Sequence, residues 1–360
     1  TLGLFYPTES QPKRAEIPPP PETGPMVADY RGSAPVAAGE AFDPTVSNIE
    51  SRIERVSLPS GLKMALLEKK TRGASVTAQM ALHFGDPESL QGRSYTANAV
   101  GRMLMRGTAK HTRQEILDAF DRLQAHVSVS GSTTGASAFI QTKREHLPEV
   151  VTLVAEILRE PSFPESEFEP MRQEWLASLE QDRTDPEALA ILGIQKHMNP
   201  YPEDSVRYIP SLEEEAAAVE ALQIDNVRRF YGQFYGGSNV ELSVVGDFDT
   251  DALKKLAVDL FGSWKSPRPF TRVPRLHFDV PAINRALETP DKTNAMFLAG
   301  LNLAMRDDDP DYPAMVLANY LLGGGFLNSR LATRIRQEEG LSYGVGSQFS
   351  VSPLDASGAW

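Results

Sequence analysis

The stretch ANAVGRMLMRGTAKHT, Ala97 to Thr112, holds three residues at a spacing where chemistry could be done. Asn98, Gly101 and Arg102 stand at i, i+3 and i+4, which on a helix places side chains side by side. Two histidines and a glutamate in that spacing, the pattern H-x-x-E-H, would hold zinc and activate a water molecule. Here the set is an amide, a glycine and a guanidinium. A guanidinium stays charged in proteins and repels a dication, so this helical surface is not expected to hold a metal.

The remaining chemistry-bearing residues offer no substitute. The six histidines, His83, His111, His126, His146, His197 and His277, include no pair three or four residues apart, so no helix face presents converging imidazoles. RDDDPDYP, Arg306 to Pro313, lacks the glycine and terminal glutamate of a calcium loop; Asp309 before Pro310, with Asp311 in the first turn, reads as a helix start. Gly323 to Gly325 are not followed by Lys and Ser/Thr, so they read as a hinge between helices rather than a phosphate cradle. No G-x-S-x-G occurs, and with no cysteine the chain has neither disulfides nor thiolate chemistry.

Around these residues lies a chain of 360 residues with 41% hydrophobic and 23% charged side chains, enough for one large core or two ordinary ones. A net charge of −12 argues against nucleic acid or an anionic membrane as partner. The apolar runs, such as that around Val150 to Leu158, are broken by charge before they could span a bilayer, so no transmembrane segment is expected.

The elements that must position the helix can be read in order. TLGLFYPT reads as a strand already under way, and the prolines from Pro12 to Pro35 predict an extended connector to about Asn48. Residues 1–50 are therefore read as the end of a preceding domain plus a Pro-rich linker. VSLPSGLKMALLEKK predicts two strands about a turn, and VTAQMALHF alternates, with Val76, Ala78, Met80, Leu82 and Phe84 on one face. The quoted helix follows, then a helix from Thr112 to Ala125 opened by a Thr112–Glu115 capping box. A glycine hairpin and helices over about 147–159, 166–183, 186–197, 211–222 and 224–235 come next. NVELSVVGDFD predicts a strand, and TDALKKLAVDLFGSW an amphipathic helix ending at Gly262.

The fold class expected is α+β: two tandem homologous α/β-sandwich units, each an antiparallel sheet with helices on one face. The first spans residues 51–275. The second, 276–360, repeats the order strand, acidic turn, helix, glycines, helix, strand, and is expected to be incomplete.

VSLPSGLKMALLEKK, MLMRGTAKHT, NVELSVVGDFDTDALKKLAVDLFGSW and GGGFLNSRLATRIRQEEGLSYGVGS, in that order, resemble the pitrilysin/insulinase family of zinc metallopeptidases, inverzincin type, from about residue 50 onward. In catalytic members, H-x-x-E-H falls where this chain has Asn98 to Arg102. The resemblance implies that the zinc histidines are replaced by Asn98 and Arg102 and the water-activating glutamate by Gly101. The third ligand, a glutamate on a later helix, falls at Ser178 or Ala177; Glu174 and Glu180 flank it. This chain then resembles the zinc-free half of a two-half enzyme that closes around an unfolded peptide.

From such a half, an arginine and a tyrosine in an R-x-x-x-G-L-x-Y setting reach the substrate. Here these are Arg336 and Tyr343. The residues alone leave a plainer alternative, in which Arg336 interacts with the end of its own helix and Tyr343 packs in a strand. The resemblance implies no cofactor in this chain, zinc only in a catalytic partner half upstream or in a separate subunit, and no peptide hydrolysis by this chain alone. It also points to an exported, periplasmic location. A non-enzymatic structural or interaction subunit related to zinc peptidases is the alternative.

Overall fold

The computed structural model describes residue 36 and residues 38–360. The strand expected at Thr1–Thr8 and most of the proline-rich connector lie outside the described residues. Ala38–Trp360 is one compact unit. Its elements are α1 (Val46–Arg52), β1 (Glu54–Ser57), β2 (Leu62–Glu68), β3 (Ser75–His83), α2 (Ser94–Met103), α3 (Arg113–Arg122), β4 (His126–Ser132), β5 (Gly135–Lys143), α4 (Leu147–Arg159), α5 (Glu165–Asp182), α6 (Pro186–Met198), α7 (Leu212–Glu220), α8 (Ile224–Phe234), β6 (Val240–Gly246), α9 (Thr250–Phe261), β7 (Asn302–Leu303), α10 (Tyr312–Asn319) and β8 (Gly358–Ala359).

The connector ends earlier than its prolines suggest. Asp43 Oδ1 accepts from the Thr45 backbone N–H at 3.0 Å, and Asn48 Nδ2 donates to the Asp43 carbonyl at 2.7 Å. These local bonds start α1 at Val46, inside the stretch read as linker.

Six strands form one sheet in the order β1-β2-β6-β3-β5-β4. β3 alternates as its sequence does, with Val76, Ala78, Met80 and Leu82 buried and Thr77 and Gln79 exposed. β6 repeats the pattern through Val240, Leu242 and Val244. The buried side chains share one face, under the helices, and the other face is largely polar, so the architecture is the expected two-layer α/β sandwich.

In one respect the sheet departs from expectation: β2 and β6 run parallel, Leu62 opposite Val240 through Glu68 opposite Gly246, while the other pairings are antiparallel. β6 enters the sheet only after the helices α4 to α8. A crossover of that length lets it pair with β2 in either direction, where a hairpin would not.

Helix signals in the sequence translate directly. The Thr112 hydroxyl accepts from the Glu115 N–H at 3.3 Å while Glu115 accepts from the Thr112 N–H at 2.7 Å, closing the capping box of α3. Asp185 accepts from the N–H groups of Glu187 and Ala188 at 2.8 and 2.9 Å and starts α6. α10 begins at Tyr312, later than Asp309 alone predicts, because Asp309 Oδ1 accepts from the Asp311 N–H at 2.9 Å in a local turn.

After α9 the chain is mostly irregular. The strand expected to open the second unit is confined to Asn302–Leu303, which pairs with Gly358–Ala359; the preceding residues, including Met296 and Phe297, find no strand partner among the described residues and are exposed. The glycine run closes a wide helical turn over Tyr320–Gly324, and Gly323 meets Ser347 so closely that an added Cβ would lie 2.3 Å from its backbone N. No helix among the described residues is long and apolar enough to cross a membrane.

Candidate functional site

α2 carries the three residues at ligand spacing. Its inner face buries Ala97, Val100, Gly101 and Met103, and it packs against the edge strand β4 and against α8. Asn98 is half-buried and Arg102 is at the surface.

Gly101 is set into this packing with no room to spare. A Cβ placed on it would lie 2.6 Å from the Gly131 carbonyl oxygen and 2.7 Å from its Cα and N. The reciprocal holds: a Cβ on Gly131 would meet Gly101 Cα and the Tyr235 hydroxyl oxygen, each at 2.7 Å. Helix and strand therefore touch backbone to backbone here, an approach that only glycine permits. The Tyr235 hydroxyl at this contact is buried with no hydrogen-bond partner among the described residues, and burial pushes its pKa far above the ordinary tyrosine value.

Arg102 faces α5. Its guanidinium lies 4.2 Å from the centroid of the Trp175 ring, a cation–π contact. Trp175 is 2% exposed, and its Nε1 donates to Glu215 Oε1 of α7 at 2.9 Å. Desolvation lowers the Arg102 pKa from the ordinary arginine value; Glu215 and Glu174 act the other way and Arg106 with it. The group is a surface cation seated on the Trp175 ring.

The acids on α5 are already engaged. Arg106 bonds to both Glu167, at 3.2 Å, and Glu174. Its hydrogen bond to Glu174 is the chief cause that lowers that carboxyl's pKa. Glu180 pairs with Arg183 at 3.0 Å. Ser178 and Ala177 are exposed, and the α5 side chain that meets Arg102 is Trp175, one helical turn earlier. No group of three or more His, Cys, Asp or Glu side chains is assembled in metal-ligating geometry among the described residues.

Trp175, Glu215 and Gly131 were not singled out as site residues in the sequence. Trp175 had a legible signal: Phe168, Met171, Trp175 and Leu179 follow a helical period and are the buried face of α5. Glu215 and Gly131 had none, since both meet α2 or its neighbour only through the tertiary fold.

Arg336 and Tyr343 come together. The helical turn over Ala332–Glu338 is ended by Gly340 at φ +65°, and the Leu341 N–H donates back to the Ile335 carbonyl at 3.0 Å. That left-handed residue turns the chain back on itself. The Tyr343 ring then lies under the Arg336 guanidinium at 4.4 Å, and Tyr343 is 86% exposed. Of the plainer roles, Arg336 does lie in the last turn of its helical segment, where a cation is favourable, while Tyr343 lies in no strand among the described residues.

Comparison with known proteins bears on this geometry. Residues 64–199 match the family model described as insulinase (peptidase family M16), and residues 221–360 match that of the peptidase M16 inactive domain. The "uncharacterized zinc protease YmxG" of Bacillus subtilis is 23% identical over 299 residues, covering 83% of this chain and 70% of that protein. An "uncharacterized zinc protease" of Rickettsia bellii is 24% identical, covering 76% and 64%. The "non-peptidase homolog YmxG" of Helicobacter pylori is 22% identical, covering 73% and 60%. The chain thus spans about two thirds of the length of these relatives.

Among solved structures, a peptidase M16 inactive domain from Pseudomonas fluorescens superposes with a TM-score of 0.66 at 22% identity, covering 85% of this chain and 72% of that one. A protease from Helicobacter pylori superposes with the same TM-score at 17% identity, covering 85% and 73%. These structures share the chain's fold, and two models of the family, which between them account for most of the sequence, make this chain a member of the M16, or insulinase, peptidase family.

Proposed function

We propose that this chain is the zinc-less half of an M16 metallopeptidase, forming part of the wall of a peptide-binding chamber while a zinc-bearing half performs the hydrolysis. The observation that carries the reading is Arg102. A guanidinium seated on Trp175 stands at the position on α2 that the family resemblance assigns to a zinc ligand, which supports the reading. Asn98, Gly101 and Ser178 complete the set of replaced positions, and no cofactor is assigned to this chain.

Arg336 and Tyr343 are the substrate contacts in this reading. The exposed phenol can donate a hydrogen bond to the oxyanion formed when water attacks a peptide carbonyl, and the arginine can hold the substrate backbone. Their stacked pairing supports a joint role, because each restricts the other's rotamers before substrate arrives. The partners implied are the zinc-bearing half and an unfolded peptide, and a periplasmic setting is the location proposed.

The test is co-expression with the zinc-bearing half and measurement of peptide turnover. Tyr343→Phe removes one oxyanion donor and is expected to lower kcat by about 10²-fold; Arg336→Ala is expected to raise KM. Unchanged kinetics in both variants would remove the substrate-contact role. A second reading, a non-enzymatic interaction subunit, is favoured by the Helicobacter relative's name as a non-peptidase homolog. It predicts no gain in turnover when this chain is added to the zinc-bearing half.

A further inference from the structure

Away from α2, two adjoining cavities of about 430 and 540 Å³ open between the β4–β5 turn, the segment 272–277 and the residues leading into β8. That size is ordinary for a small-ligand or peptide-end pocket. Arg207, Arg275 and Ser357 line both cavities, and Arg272 lines the first. In a chain of net charge −12 this wall holds three arginines against one carboxylate, Asp355.

The three guanidiniums are differently committed. Arg272 grips Asp355 with two parallel bonds of 2.6 and 2.7 Å, so its charge is answered. Arg207 is anchored by donating to the Pro274 and Val273 carbonyls at 2.8 and 2.5 Å, and forms no ion pair among the described residues. Burial lowers its pKa and Arg275 and Arg272 add to this, while Tyr201 and Asp355 oppose it. The Arg275 backbone N–H is pinned to Asp355 at 3.0 Å, yet its guanidinium has no hydrogen-bond or ion-pair partner among the described residues. The Ser357 hydroxyl oxygen is likewise buried and unpartnered.

Arg272 and Arg275 are exposed, so water solvates their charge, but the Ser357 hydroxyl is buried without a partner among the described residues and costs free energy until an acceptor arrives to answer it. A planar anion does so best, because the guanidinium fork matches a carboxylate in width and direction.

We propose that this arginine-walled cleft takes a carboxylate of a peptide, held by the Arg275 guanidinium with the Ser357 hydroxyl as a second donor. The proposal rests on the peptide-chamber reading and adds to it a preference in the substrate. A carboxylate can come from a free C-terminus or from an acidic side chain, and both present the same two oxygens to Arg275.

The test uses the purified chain and three fluorescent peptides of one unstructured sequence. The first has a free C-terminus and no acidic residue, the second is its amide, and the third is an amide bearing one glutamate. Binding by anisotropy is expected to favour a carboxylate-bearing peptide over the plain amide by about tenfold, the yield of one charge-assisted hydrogen bond. Which carboxylate peptide gains identifies the source.

Arg275→Ala is expected to erase that difference while leaving the plain amide's affinity and the urea midpoint unchanged. Equal binding of all three peptides overturns the carboxylate site and leaves peptide binding standing. A preference that survives both Arg275→Ala and Arg275→Glu also overturns it. No binding of any of the three overturns this inference together with the peptide-chamber reading.

Discussion

Gly101 and Arg102 lie next to each other and serve the proposed loss of metal chemistry in different ways. In that reading Arg102 sets a fixed charge where a neutral ligand would stand, while Gly101 lets α2 settle onto Gly131, where any side chain would collide with backbone. Gly101→Ala is therefore expected to lose about 1–3 kcal/mol of stability through overpacking, read from urea denaturation; an unchanged midpoint would show that the helix can lift off the strand at no cost. Arg102→Ala is expected to cost about 0.5–2 kcal/mol through the lost contact with Trp175, and to change tryptophan fluorescence. Asp355 supplies a pH test. The Arg272 guanidinium pulls its carboxyl down to about 2, burial opposes this, and the Arg275 N–H assists. A depressed carboxyl contributes stability that is complete above the ordinary aspartate pKa of about 3.9 and is lost as pH falls toward 2. Urea midpoints between those limits are expected to fall more steeply for the wild type than for Arg272→Ala; parallel curves would contradict this.

Among the elements, what could be read in the sequence follows a physical division. Capping and periodicity are local, so Thr112 with Glu115, the alternation of β3 and the buried stripe of α9 appear in the structure as the sequence implies. The parallel seam between β2 and β6 depends on a crossover of many helices, which no local pattern records. The same holds for the site. The replaced positions on α2 could be named from spacing and resemblance, whereas the Gly101–Gly131 contact and the Glu215 bond to Trp175 join residues that only the fold brings together. The Arg336–Tyr343 pairing lies between these cases, since its seven-residue spacing was legible and its stacked geometry depends on the reversal at Gly340. Gly340→Ala puts a Cβ into a left-handed conformation, with an expected cost of about 1–2 kcal/mol. In the co-expressed enzyme it is expected to mimic, in milder form, the kinetic loss of Tyr343→Phe; full activity would show that the turn does not position the phenol.

At the scale of the whole molecule, the chain has the fold of the M16 family, and in the function proposed here α2 presents a cation where catalytic members would present a metal ligand. Its sheet and helices enclose one continuous buried apolar core. Zinc content is the direct measure of that division. Elemental analysis of the purified chain, after dialysis against a large excess of weakly chelating buffer, is predicted to find zinc far below one equivalent, with Arg102→His on its own adding none. One tightly held zinc per wild-type chain would contradict the account.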